Sequence, residues 1–229
     1  MEWLWRWTLP PSASTYAGDI DWLYYVILGI TGVIFFAVEI ALVYFLIRYR
    51  HREGRKAEYV HGNMTAEVVW TIVPFLIVLW LGFASRNVWR QIKDPNEFPT
   101  PGLELRVTAS QFEWNVTYPG ADGLLGTSDD FERRNQLHMP VGTPVLVHLN
   151  AEDVLHSFFI PSFRIKQDAV PGMEIMVWFE ATQTGEYTLA CAELCGLGHY
   201  RMRGSVTVHT AEEFTQWQQT EAAAGAGAL

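Results

Sequence analysis

The chain has 229 residues, 49% of them hydrophobic and 18% charged, a balance that excludes disorder and leaves room for one compact domain with an extra element or two. Its formal net charge of -9, from 16 basic and 25 acidic residues, excludes an extended basic surface for nucleic acid. Two cysteines exclude a multi-disulfide scaffold and a four-thiolate zinc site, leaving one bridge or one small metal cluster.

The first 21 residues contain Trp3, Trp5 and Trp7 ahead of Pro10 and Pro11. With Trp22 they suit a membrane interface, where an indole ring can be half wet. No apolar core precedes the prolines, so this segment does not read as a cleavable signal. From Trp22 to Ile47 the chain is apolar apart from Glu39, and at about 1.5 Å per residue it is long enough to cross a hydrocarbon core of about 30 Å. A second apolar run, Val68 to Ala84, lies between Glu67 and Arg86. Its Pro74 is tolerable where neighbouring helices cover the lost hydrogen bond. The two runs predict a transmembrane hairpin over residues 22–90.

Between the runs lies RYRHREGRK, with Arg48, Arg50, Arg52, Arg55 and Lys56, so this loop is expected on the cytoplasmic side. Two spans then place everything after about residue 90 in the outer compartment. Arg86, Arg90 and Lys93 run against that count, which long translocated domains tolerate. Glu39 is about 13 Å of helix inside Arg48. An intramembrane carboxylate needs a partner, and a neutral packing role suits it. Glu67 opens the second helix, where a carboxylate complements the helix dipole by about 0.3–1 kcal/mol.

Beyond DPNEFPTPG the pattern changes to short alternating runs separated by turn residues: LELRVTA, FEWNVTY, TPVLVHLN, EIMVWFEA, EYTLA and GSVTVH. They predict an antiparallel β-sandwich over residues 103–209. Residues 210–229 are expected to add one or two helical turns at EEFTQWQQ and then a small-residue tail with nothing to bury. The loop ADGLLGTSDDFERRN carries Asp122, Asp129 and Asp130 around glycines without the spacing of an EF-hand, and reads as a solvated hairpin extension. His138, His148 and His209 show no partner pattern and are read as structural.

The chemistry concentrates in CAELCGLGHYRM, which holds Cys191, Cys195, His199 and Met202. Thiolate, imidazole and thioether together select copper. His156, in DVLHSFFIP, is the natural second histidine. A mononuclear electron-transfer site needs a single cysteine, so the economical arrangement is two copper ions sharing both thiolates, each capped by one histidine, with Met202 and a backbone carbonyl as weak ligands. A Cys191–Cys195 disulfide is the plain alternative; it would close a tiny loop and leave His199 and Met202 unexplained. Zinc is the other, and zinc sites rarely use methionine.

With these motifs in view the chain resembles subunit II of the haem-copper cytochrome c oxidases, of the bacterial type, over almost its whole length. DVLHSF, KQDAVPG and the C-x3-C-x3-H-x2-M pattern carry the resemblance. It implies a membrane-anchored architecture of two N-terminal transmembrane helices followed by an all-β cupredoxin-like sandwich, in the bacterial inner membrane with the copper domain on the outer side. It implies that His156, Cys191, Cys195, His199 and Met202 bind a dinuclear copper A centre with their side chains, and Glu193 with its backbone carbonyl. The Glu193 carboxylate is expected to turn toward a magnesium or manganese ion shared with subunit I.

The resemblance further implies electron transfer from cytochrome c to the haems of subunit I, where oxygen is reduced and protons are translocated, with subunit III as a further partner. Haem is expected only in partner chains, because no CxxCH motif occurs in the sequence; the donor is a separate cytochrome c or a haem c subunit of a larger assembly. Residues 103–229 carry sixteen acids against seven bases, which suits steering of a basic donor, although ordinary solubility accounts for much of such an excess. Asp153 matches an acidic docking position of the family. The usual Gln-Trp-x-Trp of electron entry here reads Gln111-Phe112-Glu113-Trp114, leaving Phe112 or Trp114 as the entry residue, or both as sandwich core. Glu67 resembles the glutamate at the cytoplasmic mouth of the family's K proton channel.

Overall fold

The structure is a computed structural model and describes residues 9–226, so Trp3, Trp5 and Trp7 lie outside the described residues. The described residues divide into two compact units, 19–89 and a second formed by 9–18 with 90–226. The first unit is a helical hairpin. Helix α1 (Ala17–Arg48) and helix α2 (Met64–Lys93) are 32 and 30 residues long, both long and apolar enough to span a bilayer. Their apolar side chains are exposed along most of their length, as lipid-facing helices require. Trp22 and Trp80 meet edge to face at 6.4 Å. Both helices extend past the apolar runs at their polar ends. Asn63 accepts from the Ala66 N–H at 3.1 Å and caps α2, and Glu67 stands in its first turn. Glu39 is exposed on α1 beside Ile40 and Val43.

Among the described residues, the second unit is a sandwich of ten strands: β1 (Leu103–Ser110), β2 (Glu113–Tyr118), β3 (Phe131–Arg134), β4 (Gln136–Pro140), β5 (Pro144–Ala151), β6 (His156–Ile160), β7 (Ile165–Ala169), β8 (Ile175–Glu180), β9 (Gly185–Cys191) and β10 (Arg203–His209). One sheet has the order β3-β2-β1-β5-β8 and the other β4-β10-β9-β6-β7. Alternate residues of β1, β2 and β5 point inward, and Leu105, Val107, Trp114, Leu149, Phe158 and Phe179 are fully buried between the layers. Each such side chain contributes about 1.5–3 kcal/mol relative to exposure.

The expected antiparallel sandwich is corrected in one respect: each sheet contains a parallel pair, β1 with β5 and β10 with β4. After β1 the chain makes the β2–β3 hairpin, crosses to the other sheet as β4, and returns as β5 beside β1. Alternation reports which face of a strand is buried but not which neighbour it acquires. Four strands had no alternating signal. β3 and β7 are edge strands with charged residues, β4 is short, and β6 is buried at four of its five positions, so it shows no polar phase.

Residues before α1 also belong to this unit. Ser14 bridges Ala181, its hydroxyl donates to the Phe163 carbonyl at 2.8 Å, and Tyr16 donates to the Trp178 carbonyl at 3.1 Å. At the other end, α3 (Ala211–Ala226) runs for 16 residues, longer than the expected turn or two. Thr210 and Glu213 form a reciprocal cap, the Glu213 N–H donating to the Thr210 hydroxyl and the Thr210 N–H to the Glu213 carboxylate. The alanines that follow are the strongest helix formers. Arg133 pairs with Glu221, and Trp217 packs against Tyr118 and Phe131.

The histidines without an evident pattern acquire partners through this packing. His138 stacks on Trp217 at 4.2 Å, and its Nδ1 lies 2.8 Å from His209 Nε2, so one ring donates to the other. His148 sits between Glu174 at 3.1 Å and Glu104 at 3.6 Å. Burial, then His209 and Arg133, push His138 down to about 4 from the ordinary 6.5, and burial lowers His209 despite the nearby Glu213 carboxylate. The folded state thus keeps the pair neutral where the unfolded chain takes up protons, so stability falls as pH drops from about 6.5 towards about 4. Melting curves of the full chain in detergent across that window should show the decline, and His138→Gln should flatten it.

The loop between β2 and β3 is a hairpin extension closed on itself. The Asp122 carboxylate accepts from the Leu124 N–H at 2.8 Å, that of Asp130 from the Gly126 N–H at 2.7 Å, and that of Asp129 from the Thr127 hydroxyl at 2.6 Å.

Candidate metal centre

Three strand ends of one sheet meet where the chemistry-bearing residues lie. His156 is the first residue of β6, Cys191 the last of β9, and Met202 immediately precedes β10. Pairing of Phe158 with Cys191 and of Ala190 with Arg203 fixes the three ends side by side. The intervening segment is tied at its base by Cys191 N–H to Met202 O at 3.1 Å and Ala192 N–H to Ser157 O at 3.0 Å. A single turn at His199–Arg201 brings His199 back toward Cys195.

Cys191 and Cys195 are free thiols with their sulfurs 3.8 Å apart. Cys191 Sγ lies 3.9 Å from His156 Nδ1 and 3.2 Å from the Glu193 carbonyl oxygen. Cys195 Sγ lies 3.5 Å from His199 Nδ1 and 3.8 Å from Met202 Sδ. The donor atoms of His156, Cys191 and Cys195 all fall within 4.8 Å of one another. All six residues singled out in the sequence are therefore brought together, with each thiol facing one imidazole and one weaker donor. His156, Cys195 and Met202 are buried. Burial, reinforced by the neighbouring Cys191, pushes the Cys195 thiol up to about 11, so a metal taking this site displaces a proton. The set is soft and nearly symmetric about the two sulfurs, which fits copper and leaves no donor of the group unused.

Around this cluster lies a brace that the sequence reading missed. The Asp153 carboxylate accepts from His156 Nε2–H at 2.8 Å and from the Val154 N–H at 2.6 Å through Oδ1, and from the Gln111 N–H at 2.7 Å through Oδ2. Burial opposes its ionisation, but these hydrogen bonds prevail and hold it below the ordinary carboxylate range. An acceptor at Nε2 keeps the proton there and leaves Nδ1 free to ligate. The Gln111 side chain meanwhile donates to the Cys195 carbonyl at 2.6 Å. One residue in the β1–β2 turn thus grips both ligand-bearing loops. The signal available in the sequence was its place directly before the aromatic pair.

Phe112 and Trp114 are separated by the structure. Phe112 is half-buried and lies on the metal loop: a Cβ at Gly198 would come within 2.4 Å of its ring, and one at Gly196 within 3.3 Å. The Arg201 guanidinium covers the ring at 5.9 Å. Trp114 is fully buried, 6.3 Å from the His156 ring and 5.8 Å from Phe158; its indole N–H has no protein partner among the described residues. Asp153 is a third exposed. Glu67 lies in the helical unit, apart in the chain from this cluster.

Fold and site define a class: a two-span membrane protein carrying an outer cupredoxin-like sandwich. The sequence profile of the cytochrome c oxidase subunit II periplasmic domain matches residues 111–209, and that of the subunit II transmembrane domain matches residues 2–88. The alternative cytochrome c oxidase subunit 2 of Bradyrhizobium diazoefficiens is 36% identical over 95% of this chain and 84% of its own length. Cytochrome c oxidase subunit 2 of Thermostichus vulcanus is 32% identical over 92% and 77%, and that of Cereibacter sphaeroides 31% identical over 90% and 77%. The crystal structure of the periplasmic domain of subunit II of cytochrome oxidase from Bradyrhizobium japonicum matches 55% of this chain and 97% of its own, at 29% identity and a TM-score of 0.49. The chain belongs to the cytochrome c oxidase subunit II family, and so to the subunits of a haem-copper oxidoreductase complex, anchored in the membrane by its two helices with the sandwich on the periplasmic side.

Proposed function

We propose that this subunit receives electrons singly from cytochrome c, or from a haem c subunit of a larger assembly, and passes them to the haems of subunit I for reduction of oxygen to water coupled to proton translocation. A bound copper pair would supply the one-electron relay. Cys191 and Cys195 would share both ions, His156 and His199 would each cap one, and Met202 and the Glu193 carbonyl would be the weak donors. The observation that carries this reading is the pair of free thiols 3.8 Å apart, each facing its own imidazole nitrogen.

The remaining roles follow from the family resemblance. The Glu193 carboxylate would help hold magnesium or manganese at the boundary with subunit I, and Glu67 would admit protons from the cytoplasmic side. Phe112 is favoured over Trp114 as the place of electron entry, since Phe112 rests on the metal loop at the surface whereas Trp114 is enclosed behind His156. Asp153 would add to the acidic field that steers a basic donor. Subunit III is proposed as a further partner.

The test is copper analysis and paramagnetic resonance of the full-length chain in detergent, loaded with copper under oxidising conditions. Two ions per chain and a seven-line hyperfine pattern, from one electron shared by two equivalent nuclei, are expected. A single exchangeable ion with four lines would instead indicate a copper carrier, and no bound copper would leave a structural subunit.

A further inference from the structure

We propose that the loop following α1 forms a seat for the headgroup of an anionic phospholipid, independent of the metal centre. The apolar face of α1 ends at Ile47, and Arg48 follows directly, which puts its guanidinium at headgroup depth. Arg48 and Arg52, with Tyr44 and Ile47, line a cavity of about 360 Å³. Tyr44 and Ile47 are exposed, so the cavity opens along the surface where an acyl chain would lie. Two cations thus share a cavity with an aromatic and an aliphatic side chain at the depth where a phosphodiester meets its hydrocarbon.

A second arrangement holds this charge together. The guanidinium groups of Arg48 and Arg55 both lie over the Tyr49 ring, each 5.5 Å from its centroid. Arg55 also donates to the Arg48 carbonyl at 3.1 Å, at the negative end of the α1 dipole. The ring and the helix end therefore hold both guanidinium groups at the C-terminal end of α1. Among the described residues no carboxylate forms an ion pair with Arg48, Arg52 or Arg55, although Glu53 and Glu58 are in the same loop. Converging, unpaired guanidinium groups match the paired oxygens of a phosphate. A basic loop that served only to orient the hairpin would need positive charge but not this convergence. The positive charge of the loop assigns it to the cytoplasmic side, so its lipid is that of the cytoplasmic leaflet, where anionic headgroups attract such clusters.

The test is native mass spectrometry of the full-length chain released from detergent, titrated with phosphatidylglycerol or with phosphatidylcholine of the same acyl chains. At about 1 kcal/mol, or fivefold, per arginine, phosphatidylglycerol should bind about 25-fold more tightly through Arg48 and Arg52. Arg48→Gln and Arg52→Gln should each lose about fivefold of that preference. Arg50→Gln removes the same charge from outside the cavity and should retain it. Tyr49→Leu keeps every positive charge and the hairpin's orientation signal, yet should weaken binding by releasing Arg48 and Arg55. Equal binding of the two lipids would overturn the proposal. So would equal losses in Arg48→Gln and Arg50→Gln, which would mean diffuse loop charge, or displacement by millimolar inorganic phosphate, which would mean a free-anion site.

Discussion

Replacing Cys195 by serine should collapse the proposed two-ion centre: copper content should fall from the expected two ions per chain to one or none, and any remaining signal should show four lines. Cys195 is the more buried of the two thiols, 2% exposed, and its sulfur stands between His199 Nδ1 and Met202 Sδ while facing Cys191. A serine hydroxyl is smaller and is a hard donor that copper disfavours. Both ions would therefore lose a bridging ligand, and the His199 side of the cluster its anchor. Electron uptake from reduced cytochrome c should fall by more than about 100-fold, beyond the range seen when only outer partners of a metal site are removed. Stability should change far less, because the strand pairing that presents the loop does not involve the Cys195 side chain; a buried hydroxyl left without a partner costs about 1–3 kcal/mol. Melting of the metal-free variant against the metal-free parent separates the two effects. Retention of two coppers and a seven-line spectrum in Cys195→Ser would sink the shared-thiolate arrangement.

Much of the proposed centre was legible because its candidate ligands carry their chemistry in their type and spacing. Cys191, Cys195, His199 and Met202 lie within one loop, where four- and three-residue offsets survive folding as short distances. His156 was legible only as the histidine that the set still required, and strand pairing between β6 and β9 supplies its proximity. The two membrane helices were legible from apolar length, and the strands from alternation wherever one face is solvated. The parallel β1–β5 and β10–β4 pairs were not, because a strand's neighbours are chosen by crossovers that leave no periodic trace. The same holds for the histidine pair: His138 and His209 are 71 residues apart and meet because β4 and β10 lie in parallel register, His138 opposite Thr207. Trp217 completes the stack from a helix whose length came from its cap and alanines rather than from any apolar stripe. Gln111 was legible only as the first residue of the entry motif: its backbone N–H and its side chain act on different loops, and neither contact has a sequence pattern of its own.

Asp153 offers the second large effect, and it distinguishes positioning from docking. As a docking charge it would act through the field at the surface, and removing it would change the association rate and its salt dependence while leaving the metal spectrum untouched. The geometry adds a different role, since all three of its hydrogen bonds are made within the domain, from His156, Val154 and Gln111. Asp153→Asn removes the charge and turns an amide NH2 toward either the Gln111 N–H or the His156 and Val154 donors, so at least one contact becomes donor against donor. Copper affinity of the full-length chain should fall by about 10–100-fold, as for other outer partners of ligating histidines, with an altered hyperfine splitting. Asp153→Glu preserves the charge but not the three-way geometry, because the longer arm moves both oxygens away from the Gln111 turn. If Asp153 positions His156, the glutamate variant should be impaired in copper affinity nearly as much as the asparagine variant. If it serves docking alone, Asp153→Glu should be silent and Asp153→Asn should change only the ionic-strength slope of cytochrome c oxidation. An unchanged copper affinity and spectrum in both variants would sink the positioning role and leave the carboxylate as one charge among the sixteen acids of the outer half.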